Sequence, residues 1–133
     1  MQSVVFRLGE NLQKIVIPIK IVSKVDGNLV AFSCKALVDS GAESCLISSN
    51  AANEIGLQVV GESNMRGCTG RAKAKIYNAS LSFSDTFNFN NIDFFESQVF
   101  DNTNFDIVIG MSVLSQCSFS YNKKENAFVL QCD

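Results

Sequence analysis

The chain has 133 residues, a formal net charge of −2 and no histidine. This length suits one domain, and we expect a single domain that spans residues 1–133. Hydrophobic residues make up 47% of the chain, a fraction that excludes a disordered protein. Without histidine, the chain has no Cys/His or Ser/His/Asp catalytic arrangement and no histidine metal ligand. Carboxylates are therefore the natural candidates for acid–base chemistry.

The same features exclude several classes of partner. The basic residues are scattered and form no stripe with interleaved aromatic residues, so we expect no nucleic-acid binding. The apolar runs are far shorter than the roughly 20 residues that a membrane span needs, and the N-terminus does not resemble a signal peptide, so we expect a cytoplasmic protein without a membrane partner. The five cysteines lack the CxxC spacing of a zinc site and make a poor disulfide framework. We expect neither a metal nor an organic cofactor.

The first third of the chain predicts two strands joined by a tight turn. Isoleucine recurs at every second position from Ile15 to Ile21, which is the period of a half-buried strand. Asp26-Gly27 follows as a hairpin turn. Residues 30–38 then alternate again and lead directly into Asp39.

The middle of the chain predicts a short helix and a further strand. The helix has Ser48 or Ser49 as its N-cap and Gly56 as its C-cap. A turn bracketed by glycines at residues 67–70 precedes a strand in which every second residue of 75–83 lies on one face.

The last third of the chain begins with a segment rich in asparagine and phenylalanine and continues with an apolar segment. Residues 86–100 predict one or two strands joined by a polar turn around Asn90-Asn91. Residues 107–109 predict a short strand that ends in Gly110 and is followed by one or two helical turns. Residues 126–132 alternate as a terminal strand. The whole pattern predicts an all-β protein with one or two short helices.

The segment "LVDSGAES" places an aspartate, Asp39, directly after a buried strand. Taken alone, Asp-Ser-Gly is a common turn that ends a strand. Three segments together, however, resemble the retropepsin-like, or retroviral-type, aspartic proteases. "LVDSGAES" resembles their Asp-Thr/Ser-Gly-Ala signature, "DIVIGMSVL" resembles their second apolar-apolar-Gly loop with its short helix, and "GCTG" stands where they carry a flap hairpin. The motif residues are most similar to those of the small bacterial retropepsin-like proteins.

The resemblance implies a closed β-barrel or sandwich, a homodimer, and catalytic roles for Asp39, Ser40 and Gly41. Hydrolysis of an amide needs a base to activate water and an acid to protonate the developing charge. Two carboxylates about 3 Å apart hold one proton between them and so supply both functions. Because the chain has a single Asp-Ser-Gly, the second carboxylate must come from a second copy on a two-fold axis. The resemblance further implies that the chain termini, "SVVFRL" and "AFVLQC", pair between the subunits.

The substrate implied by the resemblance is an extended polypeptide bound by strand addition beneath two flaps. The residues expected to contact it are Ala42 and, in the flap, Gly67, Cys68, Thr69 and Gly70. The sequence therefore predicts an aspartic endopeptidase.

Several residues depart from the family pattern. Glu43 stands where the retroviral members usually have Asp, no arginine follows Gly110, and Ser112 replaces an Asp that is often found after Ile-Gly-Met. We expect Glu43 and Asp106 to be structural rather than catalytic. Two other functions stay open at this point: an inactive retropepsin-fold module that binds peptides or dimerises, and an unrelated monomeric barrel that carries a small ligand between phenylalanine-rich walls.

Overall fold

A computed structural model of the chain describes residues 2–9, 14–67, 70–98, 100 and 103–132. Most of these residues lie in strands, as the alternating sequence pattern predicts. In chain order the elements are β1 Gln2–Arg7, β2 Val16–Val25, β3 Asn28–Val38, β4 Cys45–Ser48, α1 Ser49–Ile55, β5 Val59–Gly67, β6 Gly70–Ser84, β7 Phe87–Ser97, β8 Ile107–Ile109, α2 Met111–Leu114, β9 Ser118–Asn122 and β10 Ala127–Cys132.

Six of the strands close into a barrel. Their order is β2-β3-β8-β4-β7-β6, and β6 returns to β2 with Ile21 opposite Leu81. Ile17, Ile19 and Ile21 of β2 point inward and are buried, whereas the residues between them are exposed, so the predicted alternation is confirmed. Closure leaves these six strands without a free edge and gives the all-β barrel that the sequence predicts.

Two predicted turns have different outcomes. Asp26 and Gly27, with φ of 52° and 83°, join β2 to β3 as the tight hairpin turn that their sequence predicts. The turn predicted at Asn90-Asn91 is wrong, because β7 runs through it as one strand. Both asparagines lie opposite the single residue Ser80 of β6, and Asn91 has a φ of 60°, so the polar pair forms a β-bulge.

Helix α1 begins and ends where its sequence predicts. The Ser48 hydroxyl accepts a hydrogen bond from the N–H of Ala51 at 3.1 Å, and Gly56 closes the helix in the left-handed conformation with a φ of 77°. The helix buries Ala51, Ala52 and Ile55 against the barrel. The helix directly continues β4, the strand that follows the Asp39 loop.

Replacing Ser48 by alanine should lower the free energy of unfolding by about 1 kcal/mol, because the N–H of Ala51 loses its acceptor in a buried position. Chemical denaturation followed by circular dichroism measures the change. Ser49→Ala is the matched control, since Ser49 lies inside the helix and does not cap it. An equal loss in both variants would show that the cap contributes nothing.

The terminal strands form a second, three-stranded sheet in the order β1-β10-β9. It packs Phe6, Phe128 and Leu130 into the barrel core. The prediction of β10 is confirmed, but the expectation that both termini pair with another subunit is wrong for β10. Within the described residues its two edges are already occupied by β1 and β9 of the same chain.

The two helices are the elements to consider for a membrane span. Within the described residues, neither helix has the length and apolar character needed to cross a bilayer. Both are short segments that pack on strands of the barrel.

Candidate active site

The site lies at the end of β8, a strand that is inserted in the sheet between β3 and β4, which follow one another in sequence. β8 lies between β3 and β4, parallel to β3 and antiparallel to β4. The chain that joins β3 to β4, residues 39–44, must therefore cross the end of β8. This crossing places the Asp39 loop against the "IVIGM" segment, so two of the three motifs found in the sequence meet in space.

Backbone hydrogen bonds fix the two segments together. The N–H of Asp39 donates to the carbonyl of Ile109 at 3.0 Å. The N–H of Met111 donates to the carbonyl of Ala42 at 2.7 Å, and the N–H of Ser112 donates to that of Glu43 at 2.9 Å. Each of these bonds joins one segment to the other, so the position of Asp39 follows from the fold and not from a flexible loop.

Gly110 makes the close approach of the two segments feasible. A Cβ atom on this residue would lie 2.4 Å from the carbonyl oxygen of Ser44 and 2.7 Å from that of Ala42. Its φ of −100° is accessible to any residue, so the requirement for glycine is one of space and not of backbone conformation.

The carboxylate of Asp39 is partly exposed and is oriented by its own loop. Its Oδ1 atom accepts a hydrogen bond from the N–H of Gly41 at 2.9 Å. A Cβ atom on Gly41 would lie 3.2 Å from the same oxygen, so a side chain there would crowd the carboxylate. Within the described part of the chain, Oδ2 of Asp39 and the exposed hydroxyl of Ser40 make no hydrogen bond. Both groups therefore stay available for a water or a partner chain.

A small apolar cluster borders this loop. Phe100, Phe105 and Val108 are buried in it, and the two rings meet edge to face with centroids 5.8 Å apart. Ala42 packs against the cluster from the Asp39 loop, as do Leu37 from β3 and Leu46 from β4. The sequence pattern does not reveal this cluster. The hydrophobic character of 105–109 was visible, but nothing in the pattern indicates that Phe100 returns to the same place.

The predicted flap corresponds to the β5–β6 hairpin. Gly67 and Gly70 lie opposite each other where the two strands meet, while Cys68 and Thr69 fall outside the described residues. β6 pairs with β7 only from Ile76 onward, so Gly70–Lys75 and Glu62–Gly67 pair with each other alone. Within the described residues, the hairpin is thus a two-stranded arm that extends beyond the strands of the barrel.

Three further polar residues lie in or next to the two interlocked segments. The N–H of Asp106 donates to the carbonyl of Lys35, and its own carbonyl accepts from Ser48, both at 3.0 Å. Its side chain is exposed, as is that of Glu43. The Ser112 hydroxyl lies 3.5 Å from the buried thiol of Cys45, where burial raises the pKa of that thiol.

Two cavities lie elsewhere on the barrel. One, of about 350 Å³, is lined by residues of β2, β3, β5 and β6 and by Gln58; the other, of about 170 Å³, is lined by β2, β3 and β6 with Asp85. No residue of the Asp39 loop lines either of them. The concave surface that a peptide substrate requires is therefore not supplied by these cavities.

Comparison with known families fits this geometry. The family described as gag-polyprotein putative aspartyl protease matches residues 25–116, which is more than half of the chain and includes both interlocked segments. The chain belongs to this aspartyl protease family. The retropepsin-like resemblance seen in the sequence is thereby confirmed.

Solved structures of retropepsin-like proteins share the fold. A retropepsin-like aspartic protease from Rickettsia conorii is 17% identical, with a TM-score of 0.67 over 98% of this chain and 91% of that one. The retroviral protease-like domain of Ddi1 from Leishmania major is 21% identical, with a TM-score of 0.53 over 89% and 88% of the two chains. No protein of curated function matches the sequence significantly. At these identities the two structures establish the common aspartyl protease fold alone.

Proposed function

We propose that this aspartyl protease family member is an aspartic endopeptidase that acts as a homodimer, with one Asp39 from each subunit in a shared site. The observation that carries the proposal is the single, partly exposed Asp39 carboxylate held on an interlocked loop. One carboxylate cannot act as base and acid in the same step, so the site is incomplete without a second copy.

In the proposed mechanism, water is the nucleophile. The two Asp39 carboxylates share one proton, because two like charges at close range do not both ionise. The ionised carboxylate takes a proton from water, and the protonated one donates to the substrate carbonyl oxygen as the tetrahedral intermediate forms. The loop is suited to this role, since the N–H of Gly41 orients each carboxylate and the Ser40 hydroxyl is free to bond across the two-fold axis.

The proposed substrate is an extended polypeptide. Ala42 presents a small side chain three residues after Asp39, which leaves room for a substrate backbone. Gly67 and Gly70, with Cys68 and Thr69 between them, are proposed to close over the peptide at the tip of the arm. A peptide held between the loop and the arm is excluded from water, which strengthens the electrostatic contacts in the site.

The terminal sheet offers the edges for the proposed dimer. Within the described residues, β1 and β9 each keep one edge without a strand partner. Val5 on β1 is 52% exposed, and Phe119 and Tyr121 on β9 are 40% and 46% exposed. Exposed apolar side chains on open strand edges favour pairing with another chain. These features support a homodimer in which β10 stays between its two neighbours.

Solution mass tests the proposal. Analytical ultracentrifugation over a range of protein concentrations should show a monomer–dimer equilibrium. A peptide-like inhibitor with a hydroxyl in place of the cleaved amide should shift that equilibrium toward the dimer at least about tenfold, because it binds only the complete site. A matched peptide without the hydroxyl is the control. A chain that stays monomeric at every concentration, with and without inhibitor, would refute the shared site and favour a ligand-binding or inactive module.

A further inference from the structure

Two of the cysteines that the proposed function does not use lie opposite each other at the end of the terminal sheet. Ser118 of β9 pairs with Gln131 of β10 in antiparallel register. The next position outward in the same register brings Cys117 opposite Cys132. Directly opposed residues of an antiparallel pair have Cα atoms roughly 4.5 to 5.5 Å apart, within the range that a disulfide bridges.

The Cα atoms of directly opposed residues are closer when the two residues exchange no backbone hydrogen bonds, and the hydrogen bonds around Cys117 and Cys132 indicate this closer spacing. The N–H of Cys117 donates to the carbonyl of Leu114 at 3.0 Å, so it does not pair with Cys132 across the strands. Opposed residues that exchange no backbone hydrogen bonds have the closer side chains. The Cys132 thiol also donates to the carbonyl of Gln116 at 3.1 Å, the group that directly precedes Cys117. Its sulfur is thus held at the backbone of its partner.

The two thiols also influence each other electrostatically. Burial and the neighbouring Cys132 raise the pKa of Cys117 to about 12. Both residues are partly exposed, so a small reagent can reach them. Because a thiol with so high a pKa is a poor nucleophile at neutral pH, Cys117 is not expected to make the first attack on an external reagent.

We propose that Cys117 and Cys132 form a reversible intramolecular disulfide when the protein meets a low-molecular-weight disulfide. The thiolate of Cys132 attacks one sulfur of the reagent, forms a mixed disulfide and releases one small thiol. Cys117 then loses its proton to solvent and attacks the sulfur of Cys132, which forms the internal bond and releases the second small thiol. The protein loses two electrons and two protons in total, and the reagent is reduced to two thiols.

The bond would join the last strand to the segment that leaves α2. The two residues are 132 − 117 = 15 positions apart, so the bond closes a loop of moderate length and restricts the unfolded chain. It would hold β10 and β9 together at their open end, next to the edge that β9 presents to solvent. The stability of the terminal sheet would then depend on the redox state of its surroundings.

The tryptic digest of the chain suits a direct test. Residues 76–123 contain no lysine or arginine before Lys123, and Cys117 is their one cysteine. Residues 125–133 form the final peptide and carry Cys132 alone. The two thiols therefore fall in separate peptides, and a bond between them joins these peptides into one species.

The experiment equilibrates the purified full chain with mixtures of reduced and oxidised glutathione, traps free thiols with iodoacetamide and analyses the digest by mass spectrometry. We expect the oxidised chain to carry two fewer alkyl groups than the reduced chain, and we expect a linked species of residues 76–123 and 125–133. We also expect the oxidised protein to melt roughly 5 to 10 °C higher than the reduced one. Cys117→Ser and Cys132→Ser should abolish both effects.

Cys34→Ser is the matched control, because Cys34 is also partly exposed and burial raises the pKa of its thiol to about 11, but it has no cysteine opposite it in β2. This variant should keep both the linked species and the rise in melting temperature. A stable mixed disulfide of glutathione on Cys132 with Cys117 still alkylated would overturn the proposal. So would two free thiols throughout the redox range. None of these readouts depends on proteolytic activity, so the test is independent of the proposed function.

Discussion

Replacing Asp39 by asparagine should abolish peptide hydrolysis and leave the fold intact. Asparagine has the size of aspartate, and its carbonyl oxygen can still accept the hydrogen bond from the N–H of Gly41. It can neither take a proton from water nor share one with its mate. We expect the rate to fall by about 10⁴-fold, because general acid and general base catalysis are lost in one substitution.

The rate is measured with a library of peptides at one fixed, mildly acidic pH. Asp106→Asn is the matched control, since the Asp106 side chain is exposed and its backbone hydrogen bonds, to Lys35 and Ser48, do not depend on the carboxylate. It should keep its activity within a few-fold of the wild type. Equal losses in the two variants, or none in Asp39→Asn, would remove Asp39 from the mechanism.

Mixing the two proteins tests whether the site is shared. After subunit exchange between equal amounts of wild type and Asp39→Asn, about a quarter of the dimers carry two aspartates. The mixture should then show roughly half the activity of its wild-type component alone, because half of the wild-type chains have an inactive mate. An activity unchanged by mixing would mean that each subunit cleaves peptides by itself, which would refute the proposed homodimer mechanism.

Much of this site follows from local sequence. Each segment that surrounds Asp39 carries its own signal: alternation in β2 and β3, a Ser cap and a Gly stop around α1, and an apolar run that ends in Gly110. These signals depend on neighbours a few residues away, which is why the pattern alone predicts them. That β8 passes between β3 and β4 was not predicted, since no local pattern specifies which strands pair.

The features that the sequence did not reveal depend on distant parts of the chain. β9 is exposed along its whole length, so it lacks the buried face that makes alternation informative. The asparagines of β7 form a bulge and not a turn because β6 pairs on both sides of them. The same holds for Phe100, whose burial against Phe105 depends on a return of the chain that no periodicity encodes.

Gly110 belongs to the family signature and also supports the stability of the fold. Its replacement by alanine should destabilise the fold more than the addition of one methyl group at any other position of the site. The added Cβ would meet the carbonyl oxygens of Ser44 and Ala42 at 2.4 and 2.7 Å, well inside van der Waals contact. Both oxygens belong to the backbone and cannot rotate away, unlike the end of a side chain. We expect a loss of about 3 kcal/mol or more in the free energy of unfolding.

Gly9→Ala separates this steric effect from the general cost of replacing a glycine. A Cβ atom on Gly9 would meet nothing within 4 Å, so the variant should lie within about 0.5 kcal/mol of the wild type. Urea denaturation of the two variants gives the comparison. If Gly110→Ala is folded at all, the N–H of Met111 can no longer reach the carbonyl of Ala42 at 2.7 Å, and peptide cleavage should fall with stability. A Gly110→Ala protein as stable as Gly9→Ala would show that the two loops can separate without cost, and the rigid support proposed for Asp39 would then be lost.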